Sequence, residues 1–148
     1  MPVLATAARS FSINFGIWLG TPSMARMMTR YMLSEWQVAP EPIDVAVLLA
    51  SELVTNAVVF RPAQPVRDGY VPYITLALRH SAGLAVIEVS DENENPPEPG
   101  VADLESEGGR GLMLVQALSR EWSYYYPRPG WKTVYYVMDA PFRAQGPA

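Results

Sequence analysis

The sequence predicts an α+β domain, a two-layer sandwich with three helices on one face of a mixed, mostly antiparallel sheet of four to five strands. Three observations carry this. The run from Asp44 to Phe60 is apolar, contains no proline and reads as a helix. Two pairs of alternating segments, joined at Ser81-Ala82-Gly83 and at Pro127 to Gly130, read as β-hairpins. The order strand, helix, helix, strand, strand, helix, strand, strand suits helices packed on one side of a hairpin-built sheet.

The 148 residues are enough for one compact domain with a real core. Apolar residues make up 49% and charged residues 18%, so the chain belongs to the globular class. The net charge of −4 provides no general basic surface for nucleic acid or an anionic membrane. A phosphate-bearing ligand would therefore need a local site. Cysteine is absent, which excludes disulfides and thiolate metal sites. No signal-peptide pattern opens the sequence and no apolar run reads as long enough to span a bilayer, so a cytoplasmic protein is expected. The organisation expected is an N-terminal segment with a short edge strand (1–20), one main domain (21–140) and a flexible tail (141–148).

Phe11, Ile13 and Phe15 alternate with Ser12 and Asn14, as in a half-buried strand. Thr21-Pro22 reads as an N-cap followed by a first-turn proline. The helix after it carries Met24, Met27, Met28, Tyr31, Met32 and Trp36 on one flank, a stripe expected in the core. The next helix is expected from near Asp44, after Pro40 and Pro42, to just before Arg61-Pro62. Residues 71–79 alternate, with Ile74, Leu76 and Leu78 on the apolar face. His80 closes that strand and is expected at the surface of the turn. Residues 84–90 return, and Asp91 ends them. From Glu92 to Glu107 there are three prolines and six acids with no core periodicity, which fits a functional lid or a disordered segment. Gly108-Gly109-Arg110-Gly111 opens a third helix carrying Leu112, Met113, Leu114 and Val115. In the last hairpin, Trp122, Tyr124 and Tyr126 alternate with Ser123 and Tyr125, and their partners across the hairpin should be Val134, Tyr136 and neighbours.

Glu52 and Asn56 are four residues apart and share one face of their helix. Val45, Leu48, Leu49, Leu53, Val54, Ala57 and Val58 surround them. Burying a lone charge is costly. The pair therefore either lines a cavity, where its oxygens suit a hard cation such as Mg²⁺, or forms a polar stripe facing solvent.

Four stations follow in order: Glu52-Leu-Val-Thr-Asn56, strand-ending Asp91, Gly109-Arg110-Gly111-Leu112, and Gly130-Trp-Lys-Thr133. Together they resemble the GHKL ATP-binding superfamily, which has a histidine-kinase-like ATPase fold. Within it they look most like the single-domain anti-sigma-factor serine kinases of actinobacteria. The resemblance spans Pro22 to Met138. It implies that Asn56 completes a Mg²⁺ bridging the ATP phosphates and that Glu52 activates the attacking hydroxyl. It implies that Asp91 accepts from the adenine amine and that Thr133 supports adenine. Gly109 and Gly111 would let backbone amides, followed by Leu112, approach the phosphates at a helix N-terminus. Arg110 would touch phosphate or partner, and 92–108 would form a lid. The implied partners are a sigma factor or a STAS-type anti-anti-sigma protein phosphorylated on serine, with a homodimer as a further expectation. The family's Asp-x-Gly-x-Gly stretch is here Asp91-Glu92-Asn93-Glu94-Asn95, without glycine. The alternative function is thus a catalytically weak or inactive module of the same fold that binds its partner by sequestration.

Overall fold

The computed structural model describes residues 8–59, 68–97 and 118–144. Five strands form one sheet: β1 (Arg9–Gly16), β2 (Tyr73–Ser81), β3 (Leu84–Asp91), β4 (Glu121–Tyr125) and β5 (Lys132–Asp139). Their spatial order is β1-β2-β3-β5-β4. All pairings are antiparallel, so the parallel component of the expected mixed sheet is not found among the described residues. Two helices, α1 (Thr21–Glu35) and α2 (Pro40–Val59), share one core with the sheet. The expected third helix falls outside the described residues.

Strand alternation assigns the two sheet faces. Ile74, Leu76 and Leu78 of β2, Ala85, Ile87 and Val89 of β3, and Val134, Tyr136 and Met138 of β5 point to the helices. On β1, Phe11, Ile13 and Phe15 pair with Leu78, Leu76 and Ile74, extending that layer to the sheet edge. β1 is the edge strand of the main sheet. Val86, Tyr135 and Val137 form a smaller cluster on the opposite face, where Glu88 pairs with Arg79. Ala82 (φ 53°) and Gly83 (φ 76°) make the tight β2–β3 turn, both in the left-handed region that such turns require.

α2 begins at Pro40, four residues earlier than expected, and carries Pro40 and Pro42 in its first turn. Proline is tolerated there because the first helical N–H groups have no intrahelical acceptor. Its buried residues include Ile43, Ala46, Val47, Ala50, Val54 and Ala57, and it lies across β2, β3 and β5. This 20-residue helix is long and apolar enough to cross a membrane, where the sequence reading expected no such run. Its apolar side chains instead form the centre of the two-layer core.

α1 departs from the expected packing in part, for Trp36 of the expected stripe is buried in the core. Its buried stripe is Thr21, Ala25, Thr29 and Leu33, whereas Met24, Met27 and Tyr31 are exposed. Small side chains let α1 lie close to α2, and the interaxial distance depends on what stands at the contact. Met28 and Met32 only flank the core. Arg26 donates to Ser51 Oγ and Arg30 to Asp44 Oδ1, both at 2.9 Å, tying the two helices together. Thr21 does not cap the helix. Gly20 occupies that position, and Thr21 Oγ1 donates to Gly16 O at 2.6 Å, closing the β1–α1 connection.

His80 is 2% exposed, not a surface residue. It follows Ile74, Leu76 and Leu78 in phase, so alternation turns it inward. There its Nε2 bonds Ala140 O at 2.8 Å and its ring meets the Phe142 edge. The tail expected to fray from Pro141 is held through Arg143. Ala39 N–H donates to Pro141 O (2.9 Å), Phe142 bridges Val38, and Arg143 N–H donates to Gln37 O (2.6 Å).

Candidate functional site

α2 carries Glu52 and Asn56 on a half-buried stripe with Val45 and Leu48, flanked by buried Leu49, Leu53 and Ala57. This is neither a dry core nor an open surface. Asn56 Oδ1 is buried and accepts no hydrogen bond among the described residues. A buried unsatisfied acceptor costs about 1–3 kcal/mol. An oxygen so placed suits a cation, or a donor carried by a ligand.

A small, partly open cleft lies between the end of α2 and the end of β3. Ile17, Ala57, Pro72, Tyr73, Asp91, Glu92 and Asn93 line it. Ala57 lines it from α2 and Asp91 from the end of β3.

Asp91 follows Ala85, Ile87 and Val89 in phase and therefore points to the helix side. It is 9% exposed. Burial pushes its carboxyl up to about 6, partly offset by the Lys132 charge and by the Asn93 backbone N–H. Lys132 is its register partner on β5, with Nζ 3.7 Å from Asp91 Oδ1. The same ammonium donates to Asn95 O at 2.8 Å. Burial lowers the Lys132 pKa, and Asp91 pulls it partly back.

Thr133 is placed differently from its expected role beside adenine. One residue on from Lys132, it turns to the opposite face, where its Oγ1 lies 2.7 Å from Ser90 Oγ. The β5 residue beside Asp91 is Lys132. The phase of Val134, Tyr136 and Met138 could have shown this, because it sends even-numbered β5 residues to the helix side.

The stretch after Asp91 is fastened where it is described. Tyr70 donates to Glu92 Oε1 at 2.8 Å. Glu94 Oε1 accepts from Gly130 N–H (2.5 Å), and Glu94 O accepts from the Tyr126 hydroxyl (2.9 Å). Asn93 Oδ1 accepts from Asn95 N–H at 2.9 Å. Residues 92–95 therefore form a strap hydrogen-bonded to Tyr70 and to the β4–β5 hairpin. Residues 98–108 of the expected lid, and Gly109, Arg110, Gly111 and Leu112 after it, lie outside the described residues.

Among the described residues, no group of three His, Cys, Asp or Glu could hold a metal by itself. Mg²⁺ takes few protein ligands alongside phosphate oxygens and waters. A single amide oxygen such as Asn56 Oδ1 fits that manner of binding.

The model of the histidine kinase-like ATPase domain matches residues 21–137. No curated protein matches the chain. Among solved structures, the RsbU and RsbW domains of Rv1364c from Mycobacterium tuberculosis share the fold, with TM-score 0.63 and 22% identity over 93% of this chain. This chain spans 35% of that one. SiaB, in the SiaB-SiaC complex from Pseudomonas aeruginosa, gives TM-score 0.61 and 16% identity over 86% of this chain and 88% of that chain. At these identities the two structures speak for the fold. The match across most of the sequence shows that the chain belongs to the histidine kinase-like ATPase domain family, an ATP-binding fold.

Proposed function

We propose that the chain is an ATP-binding regulatory protein of the anti-sigma-factor serine kinase kind, which binds and phosphorylates a STAS-type partner. The observation that carries this is the buried carboxylate of Asp91 at the wall of a cleft that Ala57 of α2 also lines, α2 being the helix that bears the buried acceptor Asn56 Oδ1. Asp91 would accept from the adenine amine. Asn56 would hold Mg²⁺, which when bound neutralises charge on the phosphates. Glu52, one turn earlier on the same half-buried stripe, would take the proton of a serine hydroxyl as the phosphoryl group leaves ATP. Gly109, Arg110, Gly111 and Leu112 would supply the phosphate-facing turn.

A second reading keeps the binding and drops the chemistry. The glycine-free strap at 92–95 is pinned to the hairpin, which favours a stiff module acting by sequestration. A solved relative of this fold in complex with a second protein is in keeping with partner binding in either case.

The test is phosphoserine, measured by mass, on a purified STAS-domain protein incubated with ATP·Mg²⁺ and the chain. Wild type should phosphorylate it. Glu52→Gln should slow transfer by roughly 10²- to 10⁴-fold while ATP still binds. A STAS partner that binds wild type yet never acquires phosphate would sink the kinase reading in favour of sequestration.

A further inference from the structure

Lys132 has no place in the machinery described so far, yet it is one of the most buried charges among the described residues, at 6% exposure. Placing an ammonium there is unfavourable unless its donors are used. One N–H goes to Asn95 O. Its other neighbour, Asp91 Oδ1, stands at 3.7 Å, beyond hydrogen-bond reach, and accepts no hydrogen bond among the described residues. The sheet therefore sets a charged donor and a charged acceptor side by side on one face, and Asp91 lines the cleft. Such a pair matches a flat heterocyclic edge that offers an acceptor next to a donor.

We propose that Lys132 is a specificity-determining residue that reads the base directly. Its ammonium donates to the ring nitrogen N1 of adenine while Asp91 accepts from the neighbouring exocyclic amine. This rests on the ATP reading and adds to it a second, charge-assisted contact. Ionised donors form the stronger hydrogen bonds, and a buried one left unpaired is costly. Guanine carries N–H at N1, which would point a donor at the ammonium, so the pair selects against it. The neighbouring Thr133 takes no part, because it faces the other side of the sheet.

The experiment is equilibrium binding of ATP, 1-deaza-ATP (C–H in place of N1) and GTP to the full chain. Wild type should bind ATP roughly 10- to 100-fold tighter than 1-deaza-ATP, and GTP more weakly than ATP. Lys132→Met should lower ATP affinity by a similar factor and leave 1-deaza-ATP little changed. Lys132→Gln, which keeps a neutral donor, should restore part of the preference. Melting curves of both variants establish that they are folded. The wild-type comparison needs no variant at all. Equal affinity for ATP and 1-deaza-ATP, or GTP binding as tight as ATP, would overturn the role of Lys132 while leaving ATP binding standing. A wild type that binds none of the three would overturn the nucleotide reading and this inference with it.

Discussion

Lys132 Nζ lies 3.7 Å from Asp91 Oδ1 across the β3–β5 ladder, and both residues are less than one-tenth exposed. A pair so buried gives up hydration that its mutual attraction only partly returns. Its consequences should be visible in pH dependence.

Burial holds the Asp91 carboxyl at about 6 against an ordinary 3.8, so the folded state binds this proton more tightly than the unfolded chain. The fold should therefore lose stability as pH rises from about 4 to about 6, and the Asp91 contribution should be flat above that. Glu88, also raised by burial, acts with the same sign. Subtracting the curve of Asp91→Asn isolates Asp91. ATP affinity should move the opposite way, rising through pH 6 as the acceptor ionises, and Asp91→Asn should abolish that rise. Parallel stability curves for wild type and variant from pH 4 to 7 would show that Asp91 does not titrate in this range.

Asn56→Ala removes a buried acceptor that has no hydrogen-bond partner among the described residues, and it substitutes the best helix former. The melting temperature should hold or rise by about 2–4 °C. Mg²⁺-dependent ATP affinity should be lost. Unchanged Mg²⁺ dependence in calorimetric titration would rule out this oxygen as a metal ligand.

Ala82 sits at φ 53° in the β2–β3 turn, a conformation costing an L-residue roughly 1–2 kcal/mol. Ala82→Asn or Ala82→Gly should stabilise the chain by about 1 kcal/mol in chemical denaturation. Gly83→Ala should cost a similar amount. The cost would come from the backbone alone, since an added Cβ meets nothing within 4 Å. A loss of stability in both Ala82 variants would contradict the turn geometry.

Period-two alternation announced the apolar faces of β1 and β2 and set the aromatic residues of β4 against Val134 and Tyr136, which the register resolves into Trp122 with Tyr136 and Tyr124 with Val134. It also extended through His80, but the position of that residue beside a turn suggested the surface. What buries it is Phe142 and the Ala140 carbonyl, sixty residues away in sequence. The helical period likewise located α1. Thr21, Ala25, Thr29 and Leu33 recur as regularly as the methionines, and hydrophobicity alone pointed to the wrong stripe.

The sequence by itself determined the α+β class, the two hairpins, the long central helix, and the one-turn spacing of Glu52 and Asn56. These are local properties, set by backbone period and turn chemistry within a few residues. Only the tertiary structure decided that Glu94 and Lys132 fasten the strap at 92–95. The tertiary structure also anchors the C-terminal residues on Gln37. The physical reason is that alternation states which residues share a face. Which face receives the helices, and which distant chain completes each hydrogen bond, depends on contacts between segments far apart in sequence.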